Sequence, residues 1–243
     1  MKNAILIVVA AGLAAAVPQG VARRSAGRPQ HHSGTNVRNT SYPEYSANWA
    51  GAVQIGTGFT SVYGTITVPS VYDSNPNAAA SAWVGIDGDT CQRAILQTGV
   101  SFYGDGSYDA WYEWIPDYAY SFANFGLSAG DQIRMSVEAT SATTGVATLE
   151  NLSTGQKVSH TFTNTPSTLC ETNAEWIVED FQEGSSLVPF ADFGTVTFTD
   201  AYAVGSSGEV TPAGATIIDI QQGGEVLTSC ATQGSDLTCT YIG

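Results

Sequence analysis

Residues 108–114 read Y-D-A-W-Y-E-W, and their alternation decides the fold. Successive side chains of an extended chain point to opposite faces. Asp109, Trp111 and Glu113 therefore share one face, with Ala110, Tyr112 and Trp114 opposite. On either side of this stretch, the same short runs rich in Val, Ile, Thr and aromatics recur, separated by Gly, Asn, Asp and Ser. They include S-V-Y-G-T-I-T-V (61–68), A-S-A-W-V-G-I (80–86), Q-I-R-M-S-V-E-A-T (132–140), G-V-A-T-L-E-N-L (145–152), K-V-S-H-T-F-T (157–163), T-V-T-F-T-D (195–200) and A-T-I-I-D-I (215–220). Helix signals are nearly absent, and no repeat, coiled coil or internal linker stands out. Regular short strands with turn punctuation predict an all-β fold, an antiparallel sandwich of the jelly-roll or concanavalin-like kind.

Alternation also says which side chains can act together. In S-A-W-V-G-I-D (81–87), Trp83, Gly85 and Asp87 point one way; in A-E-W-I-V-E-D-F (174–181), Glu175, Ile177 and Glu179 do. A solvated strand face explains a carboxylate and a core face explains a tryptophan. Both on one face describe a cleft, where apolar walls surround a few directed polar groups.

The two ends of the chain differ from this body. Lys2 and an apolar run from Ala4 to Val17, too short to span a bilayer and closing on small residues at Ala14–Ala16, read as a signal peptide over 1–16. Residues 17–42 form a basic leader with Arg23, Arg24, Arg28, His31, His32 and Arg38 and no acid before Ser41. Residues 43–243 form the β-sandwich domain. All 22 acidic residues lie after Thr40, against Arg93, Arg134 and Lys157 alone. That balance excludes a nucleic-acid partner, which needs the opposite charge, and relaxes its self-repulsion in acid. No membrane span follows the first run, and a secreted monomer is expected. Four cysteines in an exported chain should pair. Gly234-Ser235 reads as a hairpin turn between Cys230 and Cys239, so these are paired locally and Cys91 with Cys170. Asn39 and Asn151 head glycosylation sequons.

Elimination narrows the chemistry. The chain has no H-E-x-x-H, no G-x-S-x-G, no dinucleotide fingerprint and no phosphate loop. His160, in V-S-H-T-F, reads as a surface residue rather than a catalytic base, and neither metal nor cofactor is expected. Carboxylates, amides and aromatics remain.

Four segments carry the specific signal: S-A-N-W-A-G-A (46–52), S-A-W-V-G-I-D-G-D-T-C-Q-R-A-I-L-Q-T-G (81–99), Y-D-A-W-Y-E-W, and T-N-A-E-W-I-V-E-D-F (172–181). Together with Cys91 and Cys170 they resemble the glutamic peptidases, or eqolisins, over nearly all of the chain after Ser46. The resemblance implies a sandwich of two bent antiparallel sheets with the active site on the concave face. It places the catalytic glutamine on Gln97 and the catalytic glutamate on Glu179, and it puts Trp49, Trp83, Asp87, Asp109 and Glu113 in the cleft. Alternation alone does not choose Glu179 over Glu175, since both face one side. The implied activity is acid endopeptidase on polypeptides, with Glu179 activating water and Gln97 stabilising the oxyanion. The basic leader is a candidate inhibitor of its own cleft, although short for a prosegment of this family. Two rivals share the architecture. One is a glycoside hydrolase using Glu113 and Glu179 with tryptophans as sugar platforms; the other is a carbohydrate-binding module without catalysis.

Overall fold

Every residue of the strands Ala79–Ile86, Leu96–Tyr103 and Asn173–Glu179 is buried, on both faces. These strands lie at the centre of the larger of two main sheets in the computed structural model, which describes residues 31–35, 38–39 and 44–243. The 1–16 segment and most of the 17–42 leader lie outside the described residues.

The larger sheet has ten strands. Its main path runs Arg38–Asn39, Glu44–Ser46, Thr216–Gln222, Trp49–Ile55, Asn173–Glu179, Ala79–Ile86, Leu96–Tyr103, Tyr108–Trp114 and Tyr120–Ser121. Eight strands form the second sheet, led by Gln156–Phe162, Thr144–Asn151, Gln132–Ser141, Ser61–Thr67 and Thr195–Gly205. Pairing within both is antiparallel, except where Glu44–Ser46 runs parallel to Thr216–Gln222. A third, three-stranded sheet is small: His31–His32, Gln182–Glu183 and Ser186–Leu187.

The core lies between the two large sheets. Val84, Val100, Phe102 and Trp176 from one meet Val62, Ile66, Ile133, Met135, Leu149 and Phe198 from the other. Trp176 donates its indole N–H to the Tyr63 carbonyl at 2.8 Å, joining the sheets through a polar contact. The second sheet keeps an ordinary alternation, clearest in Thr144–Asn151, where every other residue is buried. His160 departs from its expected place at the surface: it is half-buried, stacked on Tyr112 with ring centroids 4.0 Å apart, and burial lowers its pKa. Both disulfides are formed, Cys91–Cys170 and Cys230–Cys239.

Candidate functional site

Directly opposed residues of antiparallel strands share a face, so the register shows which side chains meet. Three rows cross the outward face of the larger sheet. They are Val53–Glu175–Gly85–Gln97–Glu113, Gly51–Ile177–Trp83–Gly99–Trp111, and Trp49–Glu179–Ser81–Ser101–Asp109. Gln97, Glu179, Trp49, Trp83, Asp109 and Glu113 therefore stand on one surface.

Two glycines make room for the central tryptophan. A Cβ at Gly85 would lie 2.9 Å from the Trp83 ring, and one at Gly99 would lie 2.5 Å from Trp83 Cβ. The Trp83 ring thus lies over Gly85 while its Nε1 donates to Glu179 Oε2 at 2.8 Å. Trp49 packs edge-on against Trp83, centroids 4.9 Å apart. Gln97 Nε2 donates to Glu113 Oε2 at 2.7 Å. Asp109 sits at the half-buried margin and accepts from the Ser121 hydroxyl.

Asp87 plays a different part from the substrate contact its face suggested. Its backbone takes a left-handed turn, φ 69°, just beyond the strand. Its carboxylate accepts the backbone amides of Cys170, Glu171, Thr172 and Asn173. With its oxygens committed there, Asp87 anchors the loop that the Cys91–Cys170 bridge also holds, where Glu179's strand begins.

The cleft is occupied by the chain itself. Ser33 is wholly buried, and its N–H points to Glu113 Oε2 at 3.4 Å. The Gly34 N–H donates to Glu179 Oε1 at 2.9 Å, and the Gly34 carbonyl accepts Trp49 Nε1 at 2.9 Å. Asn48 Nδ2 lies 3.4 Å from both the Gly34 and Thr35 carbonyls. One residue, Ser33, flanked by two successive peptide amides, therefore spans the gap between Glu113 and Glu179. An open concavity of about 530 Å³ lies on the outer face of the eight-stranded sheet beside Tyr63, Arg134, Glu138 and Lys157.

Burial dominates the electrostatics. It pushes Glu179 up to about 8; Glu113 adds to the rise, while the Gly34 amide and the Trp83 indole oppose it. Glu175 is raised well above the carboxylate range by burial, then by Asp89 and Asp87. Asp180, next to Glu179 in sequence, is pushed to about 7 by burial, although Gln222 donates to it at 2.7 Å. Under residues 33–35, then, Glu179 is a neutral carboxylic acid below about pH 8, not the carboxylate expected from a free glutamate.

Sequence reasoning did not find Ser33, Gly34, Asn48, Ser81 or Ser101. Asn48 lies within S-A-N-W-A-G-A and Ser81 begins S-A-W-V-G-I-D, but small polar residues carry no pattern of their own. The leader has no periodicity that could assign it to the cleft.

Comparison with known proteins bears on this arrangement. Residues 47–241 match the Peptidase A4 family. The chain is 54% identical to aspergillopepsin-2 of Aspergillus niger, over 85% of this chain and 81% of that protein. It is 45% identical to scytalidopepsin B of Scytalidium lignicola, over 97% and 96%. Its fold is similar to that of scytalido-glutamic peptidase solved with a transition-state analogue inhibitor, with TM-score 0.78 and 48% identity over 81% of this chain and 98% of that one. It is also similar to aspergilloglutamic peptidase from Aspergillus niger, with TM-score 0.66 and 60% identity over 68% and 99%. A family match across the whole sandwich, joined to relatives of this identity and coverage, shows that the chain belongs to the peptidase A4 family and is a peptidase of the glutamic type.

Proposed function

We propose that this peptidase is a secreted, monomeric acid endopeptidase whose reaction is carried by Glu179 and Gln97, with residues 1–16 directing export. The observation that carries the reading is that a backbone amide lies on Glu179 while Gln97, a side-chain amide donor, stands on the same face, held by Glu113. The occupant meets both glutamates through its peptide amides, which suits a peptide substrate. Membership of the family removes the glycosidase and carbohydrate-binding alternatives.

In an open, water-filled cleft Glu179 loses much of its desolvation and returns toward its ordinary 4.5. As a carboxylate it takes a proton from the attacking water and later returns it to the leaving nitrogen. Gln97 turns its Nε2–H to the developing oxyanion, where one such donor contributes roughly 3–4 kcal/mol. Glutamine does not titrate, so this donor persists in acid, where a histidine would be fully charged. Trp83 favours the ionised form of Glu179 by donating to it.

The leader suits an inhibitor for two reasons. Its residues 33–35 fill the cleft, and by excluding water they keep Glu179 neutral, unable to act as base. Two pH effects oppose each other. Covering raises the Glu179 pKa, so the covered state holds the extra proton between about 4.5 and 8, and this contribution strengthens as pH falls through that window. Attraction between the leader's arginines and the acidic body is instead lost as free carboxylates protonate, near pH 4. The gain from covering is complete by about pH 4.5, so release accordingly belongs within the ordinary carboxylate range, near pH 4.

The test is a pH–activity profile of the purified protein on a denatured protein substrate. Activity should peak between about pH 2 and 4.5 and be nearly absent at pH 7, where charge crowds the cleft. Chelators and serine- or cysteine-directed reagents should have no effect. Best activity at neutral pH, or loss with a chelator, would refute the mechanism.

A further inference from the structure

Residues 33–35 cross the cleft through their main chain: two successive amides meet the two glutamates, and two successive carbonyls meet the Asn48–Trp49 pair. Their approach is set by antiparallel pairing of His31 with Glu183 and His32 with Gln182. The register also has a steric reader. A Cβ on residue 34 would lie 3.2 Å from Asn48 Nδ2, tight enough that the amide must give way for any side chain. Asn48 is itself held, since its Oδ1 accepts the Ser46 hydroxyl and its carbonyl accepts the Asp180 amide.

Resting on the functional reading above, we propose that this segment lies in the substrate's register with Ser33–Gly34 as the bond presented to Glu179, and that Asn48, beside Trp49, is a specificity residue holding the carbonyl after that bond and restricting the side chain there to small ones. In the cut, water oxygen bonds to the Ser33 carbonyl carbon and its proton passes to the Glu179 carboxylate. The C–N bond then breaks, its electron pair staying on the Gly34 nitrogen, which takes the proton from Glu179. The products are a carboxyl on Ser33 and an amine on Gly34. The sealed form stays uncut because Ser33 is shut from water and the Gln97 amide is committed to Glu113. Loosening of the segment in acid admits the water, and the same register serves a second copy acting in trans.

The experiment follows the full chain after acidification to about pH 3.5, in the carboxylate range, reading new N-termini by mass spectrometry and activity on a denatured protein. The wild type should yield an N-terminus at Gly34, and Glu179→Gln none. Gly34→Leu should slow the cut after Ser33 about tenfold, the scale on which a pocket rejects extra carbons. Combining it with Asn48→Ala should recover most of that loss, a non-additivity expected only if the two groups touch. Asn48→Asp, which donates to the carbonyl only when protonated, should regain the cut as pH falls, a dependence that a purely structural role would not produce. A chain that digests substrate but sheds its leader only at other bonds overturns the register while leaving the peptidase mechanism standing. Strict additivity of Gly34→Leu and Asn48→Ala overturns the role of Asn48. A chain that digests nothing at any acid pH overturns the functional reading and this inference with it.

Discussion

The outward faces of the two large sheets are built from the same alternating strands and end in opposite chemistry. On the eight-stranded sheet, Arg134, Glu150 and Lys157 line up across neighbouring strands, and Arg134 reaches Glu150 at 3.5 Å in contact with water. On the ten-stranded sheet, Glu175, Glu179 and Glu113 have no exposed surface, and tryptophans and other carboxyls are their neighbours. Two of the acidic body's three cations sit on the first face; the third, Arg93, is bonded to the Thr168 carbonyl at the surface. An acid beside a cation and water costs little to keep ionised, whereas an acid between indoles shifts its proton affinity instead. Acids left without a counter-charge mark the face that does chemistry.

The strongest way to break this contrast is to neutralise one acid on each face. Glu179→Gln should reduce proteolysis by about 10³-fold or more, and Gln97→Ala by about 10²–10³, with the circular dichroism spectrum retained. Glu150→Gln should leave the rate unchanged, and so should Glu175→Gln, since burial pushes that carboxyl toward its neutral form. A dead Glu175→Gln beside an active Glu179→Gln would reverse the assignment.

Loss of the bridge should show in stability. Cys91→Ser with Cys170→Ser opens a loop of sequence separation 79, which the loop-entropy relation values at about 4–5 kcal/mol. Denaturant unfolding should show that loss. A stability unchanged within error would mean that the Asp87 amide contacts alone hold this end of the cleft.

Trp83→Phe removes the indole donor to Glu179 and should show its effect in the pH profile. That donor lowers the Glu179 pKa, so its loss raises it, and the acid limb of the activity profile should move to higher pH. A profile that scales down without moving would reduce Trp83 to a packing role.

A smaller effect separates the buried acids from the exposed ones thermally. Asp180 and Glu179 bind protons in the folded protein up to about pH 7 and 8, whereas their unfolded counterparts release them near 4. The folded state holds more protons between those values, so stability falls as pH rises from about 4 to 8. Melting temperature should decline over that window, and Asp180→Asn should flatten part of the slope. A melting temperature that rises with pH would contradict the burial argument. Arg134→Gln on the opposite face should change stability by no more than about 1 kcal/mol.

How much of this was legible follows from periodicity. The shared face of Asp109, Trp111 and Glu113, and of Glu175 and Glu179, came from a period of two, which strands impose whatever surrounds them. Burial of both faces at the centre was not legible, because the outward face is covered by residues 33–35, which lie far from Glu113 and Glu179 in sequence. Asp87 shows the limit within one strand. Alternation holds up to Ile86, and then a left-handed residue turns the Asp87 carboxylate to four loop amides. Glu175 and Glu179 are equivalent by pattern, and only the family resemblance and the register of rows distinguish them.

The indole contacts have a practical consequence. Of the five tryptophans, Trp83 is bonded to the ionisable glutamate and Trp49 to the segment that covers it. Removal of that segment changes the polarity at both rings together, while Trp176 stays locked on the Tyr63 carbonyl inside the sandwich. The protein thus carries its own optical reporter, and its ultraviolet emission should record the opening of the cleft in real time, without dye or substrate.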